Sequence, residues 1–260
     1  MRKDSVIYYK DELNDEFSGI SRKTFLVNET FKYINTNIFY KFFRFIVYRL
    51  IMTPVAFLYS HIKFKVRIYN KKVLKEYKKT GYFLYSNHTN VPLDAYLANL
   101  VSYPTNTYVI VNAENLSVKG TRTFMKMVGA LPIPNSIKGM PNFLKALDYR
   151  SQKGSSIVVF PEAHIWPYYN KIRPFKDVSF RYPIKENKPI FSYTVCYKKR
   201  KHSKKPRVEV YVDGPFMPNT NCEDLHAEQT RLRNLVYEAM SNEATLHSDY
   251  EYIKYVRKED

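Results

Sequence analysis

From about residue 80 onward the chain alternates short apolar runs with stretches of helical periodicity. Tyr82–Ser86, Thr107–Val111, Ile157–Phe160, Ile190–Tyr197 and Val208–Val212 are compact, rich in β-branched and aromatic residues, and bounded by polar or turn-forming positions, so they predict strands. Between them, Leu93–Val101, Gly120–Val128 and Met140–Arg150 suit helices. Glu223–Met240 places Leu225, Leu232, Leu235, Val236 and Met240 near helical spacing, with Asn221 as the expected N-cap. Strands alternating with helices predict an α/β fold, a mixed sheet flanked by helices. The basic run Lys198–Lys205 falls between the last two strands and reads as a solvated hairpin loop or a contact for an anionic lipid or carrier.

Upstream the pattern differs. Ile38–Ile62 is dense in Phe, Tyr, Ile and Leu, but Lys41, Arg44 and Arg49 interrupt it and leave only Leu50–Ile62 without formal charge. That stretch is shorter than the roughly 20 residues a transmembrane helix needs. The spacing of the basic residues gives them one face and assigns the other to Phe39, Phe42, Phe43, Ile46 and Leu50, which describes an amphipathic helix lying in a membrane interface. Pro54 is expected to kink or divide it. A helix packed on the protein's own core fits the same pattern, because a hydrophobic face alone does not distinguish protein from lipid. The resulting division is an N-terminal segment over 1–65 carrying the interfacial helix, a main domain over 66–245, and a tail over 246–260 that is a short helix or a frayed end.

At 260 residues, 45% of them hydrophobic, the chain can bury one full core. With 42 Lys and Arg against 24 Asp and Glu, its net charge of +18 favours an anionic partner. Cys196 and Cys222 lack CxxC spacing, which argues against a metal site or disulfide framework and for a reducing compartment. No apolar run of signal-peptide type opens the chain, so the N-terminus is expected on the cytoplasmic side.

Two places carry chemistry. In Ser86-Asn87-His88-Thr89-Asn90-Val91-Pro92-Leu93-Asp94, a strand ends in a loop that brings an imidazole and a carboxylate toward each other. A carboxylate holding Nδ1–H leaves Nε2 free to accept a proton from a hydroxyl. Read alone, a histidine in such a loop is by default structural. The second place is Phe160-Pro161-Glu162-Ala163, which delivers an acid to the carboxyl edge of the sheet and is trailed by Lys171, Arg173 and Lys176, cations suited to phosphate or carboxylate. Glu162 is equally readable as a carboxylate at a helix start. There is no G-x-S-x-G elbow and no HExxH or paired His/Cys cluster, so neither a serine hydrolase nor a metal is indicated.

The order of these blocks resembles the lysophospholipid/glycerol-phosphate acyltransferase family, which includes lysophosphatidic acid acyltransferase. That family has N-H-x-x-x-x-D, then G-x-[IL]-x-[IV]-x-R, then F-P-E-G-[ST]-R, then a strand beginning [VI]-P-[VI]. The matching residues are Asn87-His88 with Asp94, Gly129-Ala130-Leu131-Pro132-Ile133-Pro134, Phe160-Pro161-Glu162-Ala163, and Lys188-Pro189-Ile190-Phe191, within a resemblance covering about residues 80–215. Three departures stand out: five residues separate His88 from Asp94, Asn135 stands where the second block has arginine, and Ala163-His164-Ile165 replaces Gly-Ser/Thr-Arg.

The resemblance implies a glycerol-phosphate acyltransferase-like fold and an enzyme that moves a fatty acyl group from acyl-CoA or acyl carrier protein to a hydroxyl of a glycerophospholipid precursor such as lysophosphatidic acid. No cofactor is implied beyond the thioester donor. His88 is the implied general base and Asp94 its orienting partner, while Asn87, Glu162, Lys138, Arg173 and Lys176 are candidates for substrate binding and the backbone at Ala163 for the oxyanion. Both missing arginines are ones the family uses on the acceptor's phosphate, so either Lys138, Arg173 or Lys176 substitutes or the acceptor is not a simple glycerol phosphate. Expected partners are an anionic membrane surface, a lipid acceptor and an acyl thioester, with no nucleic acid, and the expected location is the cytoplasmic face of a membrane as a peripheral or monotopic protein. A basic peripheral membrane-binding protein and an inactive homologue are the competing readings.

Overall fold

A computed structural model describes residues 5–19, 25–118 and 120–258; the remainder of the N-terminal segment and of the tail lies outside the described residues. Seven strands form a mixed sheet in the order β2-β8-β7-β3-β6-β4-β5, with β2 Arg67–Tyr69, β3 Tyr82–Ser86, β4 Thr107–Val111, β5 Ala130–Pro132, β6 Ser156–Val159, β7 Ile190–Arg200 and β8 Ser203–Phe216. Neighbours are parallel except for the antiparallel hairpin β7/β8. The five strands expected from the apolar runs all form. β2, β5 and the terminal strands described below are too short, or too interrupted by charge, for periodicity to reveal them. The Lys198–Lys205 run is a hairpin, but a tight one, with the strands running through it and only Lys201 and His202 at the turn.

Every residue of β3 and β6 is buried, as expected for central parallel strands covered on both faces. Alternation along β3 divides the core. Phe83 and Tyr85 face a cluster with Phe143 and Leu147 of α5 (Met140–Gln152) and Leu232, Val236 and Met240 of α7 (Leu225–His247), while Tyr82 and Leu84 face Leu93, Leu97 and Val101 of α3 (Leu93–Ser102). Each fully buried side chain of this kind contributes about 1.5–3 kcal/mol. The N-cap of α7 is Asp224, not Asn221: its Oδ1 accepts from the N–H groups of His226 and Ala227, and the chain before it is still in a turn. Gly129 of the second block has φ +98°, and a Cβ there would lie 2.3 Å from the carbonyl of Thr107, so only glycine lets β5 reach β4.

The N-terminal apolar stretch is one helix over Ile38–Phe64, 27 residues, long and apolar enough by length and composition to cross a membrane. It comprises α1 Ile38–Phe45, a π-type segment Ile46–Met52 and α2 Thr53–Phe64. Pro54 therefore widens the helix without dividing it. The ring of Pro54 conflicts with a carbonyl one turn back, and the upstream register relaxes so that Thr53 N–H and Oγ1 both reach the carbonyl of Tyr48.

The helix's faces are also not used as the charge pattern suggested. Arg44 and Arg49 turn inward: Arg44 lies over Tyr48 and Tyr108, and Arg49 lies over Tyr48 and Tyr103 and donates to the carbonyl of Pro104 and, at 3.1 Å, to Asn106. Thr53 accepts from Asn99, and Tyr59 packs edge-on against Tyr96, both on α3. The polar side faces the domain. Phe39, Phe42, Phe43, Leu50, Phe57, Leu58 and Ile62 are left exposed on the outer side.

The two ends of the chain meet. β1 (Ser5–Tyr9) and β9 (Ile253–Arg257) pair in parallel as a separate two-stranded sheet, so the described part of the tail beyond the end of α7 at His247 carries a strand and is neither a short helix nor frayed. Strand-favouring Tyr, Ile and Val at each terminus find partners only in each other, a non-local pairing that local periodicity does not show.

Candidate active site

β3 and β6 are neighbours in parallel register, Tyr85 opposite Val159, so the loops that leave them emerge side by side at the carboxyl edge of the sheet. One carries His88 and the other Glu162. The loop from Asn87 to Pro92 leads into α3, with Asp94 in the first helical turn. Asp94 Oδ2 accepts from the backbone N–H of Thr89 and of Asn90, each at 2.8 Å, and lies 2.7 Å from His88 Nδ1. The loop thus curls around the carboxylate and absorbs the additional residue. Because that oxygen already accepts two N–H groups it is an acceptor, which assigns the proton to Nδ1 and leaves Nε2 unprotonated in the neutral ring. No described residue hydrogen-bonds Nε2, and the imidazole is 19% exposed and stacked on Phe160 at 4.4 Å.

Asn87 is buried and faces β7: its Nδ2 donates to the carbonyl of Val195 at 3.0 Å and its Oδ1 accepts from the N–H of Val195 at 2.9 Å. Thr89 is fastened to β7 by a 2.8 Å bond between its hydroxyl and that of Tyr197.

Glu162 is 4% exposed and Arg173 1%. Oε2 of Glu162 accepts from the backbone N–H of His88 at 3.0 Å and Oε1 from that of Arg173 at 2.9 Å, and the Arg173 guanidinium lies 3.3 Å from Oε2. Arg173 also donates to the carbonyls of His164 and Glu12. Burial pushes the Glu162 carboxyl above the usual carboxylate range, against the pull of Arg173 and of the His88 and Arg173 N–H groups. Ala163 has φ +61°, the left-handed region in which the family block has glycine, and its N–H is already donated to the carbonyl of Phe160 at 3.1 Å. The neighbouring N–H of Glu162 has no partner among the described residues. Lys138, Lys171 and Lys176 are exposed. Asn135, at the arginine position of the second block, holds the N-terminal segment by donating to the carbonyl of Phe25 and accepting from the N–H of Val27.

Sequence reasoning did not single out Trp166, Tyr197, or the Thr89 and Asn90 N–H groups. Trp166 carried one available signal, being the sole tryptophan and standing four residues after Glu162. The others depend on loop geometry.

The sheet thus presents at its carboxyl edge a partly exposed imidazole, oriented by a carboxylate, beside a buried acid, an arrangement in which Nε2 can accept a proton. Residues 65–198, just over half the chain, match the family model described as Acyltransferase. The chain belongs to the acyltransferase family. Its fold is similar to that of the crystal structure of the 1-acyl-sn-glycerophosphate (LPA) acyltransferase PlsC from Thermotoga maritima, with a TM-score of 0.55 over 78% of this chain and 80% of that one at 14% identity. Comparison with curated protein sequences gives no match.

Proposed function

We propose that the protein transfers an acyl group from a thioester, acyl-CoA or acyl carrier protein, to a hydroxyl of lysophosphatidic acid or a related lipid. The observation that carries this reading is the His88–Asp94 contact, 2.7 Å, at the carboxyl edge of the sheet with Nε2 unpartnered. The acceptor oxygen attacks the thioester carbonyl as its proton passes to His88 Nε2. Asp94 holds the Nδ1–H and balances the imidazolium. Collapse of the tetrahedral intermediate breaks the carbon–sulfur bond, and the departing thiolate takes the proton back from His88. The products are an ester and a free thiol.

Asn87, Glu162 and Arg173 are assigned to holding the loop that carries His88, since Asn87 bridges to Val195 of β7, Glu162 accepts from the His88 N–H and Arg173 pairs with Glu162. This leaves exposed Lys138 and Lys176 to attract an anionic headgroup or donor. The Glu162 N–H is the better oxyanion candidate than that of Ala163, which is already paired.

The outer face of Ile38–Phe64 is assigned to the lipid surface. Its inner side packs on the domain from Arg44 to Tyr59, which favours a helix lying along the bilayer boundary over one surrounded by lipid. On this reading the protein is monotopic, placed on the cytoplasmic face.

The test is thioester consumption by purified protein against a panel of lysolipids and glycerol phosphate, with the acylated product identified. Consumption that requires a hydroxyl acceptor supports the reading, and none with any acceptor rejects it. Vesicle flotation tests the membrane assignment: binding is expected to favour anionic lipid and to fall sharply in the Phe42→Ser, Phe43→Ser, Ile46→Ser triple variant, whereas equal recovery in the soluble fraction would reject it.

A further inference from the structure

The stretch from Ala163 to Tyr169, between Glu162 and Arg173, has no regular secondary structure. Two of its residues, Ala163 and Tyr168, hold left-handed backbone at φ +61° and +59°. Such conformations each cost on the order of 1–2 kcal/mol for residues other than glycine and persist only where surroundings impose them. Here the surroundings lie on two sides. Toward the site, Trp166 N–H donates to the carbonyl of His88 at 3.2 Å and Tyr168 N–H to that of Thr89 at 2.9 Å. Away from it, the stretch rests on the chain's own termini.

Those outer contacts are numerous and directional. The indole N–H of Trp166 donates to the carbonyl of Asp15 at 2.8 Å, Ile165 N–H donates to Glu16 Oε2 at 3.1 Å, and Phe17 N–H returns to the carbonyl of Ile165 at 3.1 Å. From the other terminus, the Tyr255 hydroxyl donates to the carbonyl of Pro167 at 2.9 Å. The Trp166 ring is fully buried among aromatics from both ends of the chain: it stacks on Tyr255 at 5.0 Å with planes 10° apart, and meets Tyr9 at 4.7 Å and Phe17 at 5.3 Å. Arg173, the ion-pair partner of Glu162, lies over the same ring at 4.9 Å. One side chain therefore joins the terminal sheet to the groups that fix His88.

We propose that Trp166 is a positioning residue for His88, and that the paired chain termini β1 and β9 hold Trp166 in place, so that the activity of the site depends on a terminal sheet that contributes nothing to its chemistry. The proposal rests on the assignment of His88 as the base. The central sheet with its two helical layers does not depend on β1/β9 for its core, since Tyr250, Tyr252 and Ile253 form a small cluster of their own. Loosening the termini should thus release the loop without unfolding the domain.

The sole tryptophan makes this measurable. In the full-length Tyr255→Ala variant, Trp166 emission is expected to shift to the red and become accessible to acrylamide, and amide hydrogen exchange to rise in peptides covering 86–93 and 160–170 but not in β4 or α5. The main far-UV unfolding transition should stay in place. Turnover is expected to fall on the order of 10- to 100-fold in kcat with KM changed less than about threefold, as for a displaced reacting group. Tyr255→Phe, which retains the ring, should recover most of kcat. Exchange confined to the termini, or wild-type kcat with a red-shifted Trp166, would overturn the proposal. A wild-type protein that consumes no thioester would reject the catalytic assignment and the positioning proposal with it, whereas wild-type turnover combined with an unmoved 86–93 loop in Tyr255→Ala would reject the positioning proposal alone.

Discussion

His88 with Asp94 and His247 with Glu243 are both histidine–carboxylate contacts in this chain, at 2.7 and 3.3 Å, each with its imidazole stacked on an aromatic ring, and they differ in what holds the carboxylate. His247 and Glu243 stand one turn apart on α7, the imidazole stacked on Tyr211 at 3.9 Å, and burial raises the Glu243 carboxyl above its usual range. Its neighbour Asp213 is pushed up to about 6 by burial first and Glu243 second. Among the described residues no backbone N–H group converges on Glu243. Asp94 receives two such groups on the oxygen that faces His88, from a loop whose other bonds reach β7 and Trp166. The contact alone does not make a base. Ionising Glu243 and Asp213 works against the fold, whereas Asp94 is presented as an acceptor by backbone that is already paid for in forming the loop.

The largest expected effect of this difference is on turnover. Asp94→Asn should lower kcat by about 10²–10⁴-fold while leaving a residual rate, because the amide no longer fixes the productive tautomer, and Glu243→Gln should change kcat by less than about twofold. Steady-state thioester consumption measures both. Similar losses in the two variants would erase the distinction between the regions.

Next in size is the support beneath His88. Arg173→Leu leaves Glu162 buried without its cation and should destabilise the protein by about 3–5 kcal/mol, read by denaturant unfolding, because breaking a buried pair on one side costs more than the pair is worth intact. Ala163→Gly is expected to act in the opposite direction. Relief of the left-handed backbone outweighs the greater freedom of the unfolded chain, for a gain of about 0.5–1 kcal/mol.

The smallest effect belongs to the α7 region and concerns pH. A carboxyl whose folded pKa is raised binds its proton more tightly in the folded state, so stability falls as pH rises from the ordinary carboxylate range to about 6 and is regained on acidification through that window. Asp213→Asn should flatten this slope. Solvent screening limits the contribution to about 1 kcal/mol or less. A slope of opposite sign in wild-type thermal scans, unaffected by the substitution, would show that Asp213 is not held in this way.

Legibility in the sequence followed how local the physics was. The apolar runs Tyr82–Ser86, Thr107–Val111 and Ile157–Phe160 are free of charge because they form parallel strands covered on both faces, and His88 and Glu162 lie on the loops that follow the adjacent strands β3 and β6. The helix over Ile38–Phe64 was visible as a helix, but its faces were not, since Arg44 and Arg49 find aromatic rings and carbonyls of the domain that spacing does not specify. For Glu162 and Arg173 the sequence marked the residues but not their surroundings: whether an acid faces substrate or backbone depends on the loop that closes over it. Trp166 was marked only by being the sole tryptophan, and Tyr255 and the terminal sheet were out of reach, because their pairing joins distant parts of the chain.

The most direct test of the central claim is the rate of acyl transfer from a thioester to a lysolipid hydroxyl by the His88→Ala variant, measured alongside its unfolding transition. His88 is assigned the proton of the attacking hydroxyl, and a positioned base contributes about 10²–10⁴-fold. The account therefore requires a loss of that order in kcat, with the fold retained and with no recovery from raising the concentration of either substrate. Turnover equal to wild type in a folded His88→Ala protein would contradict it.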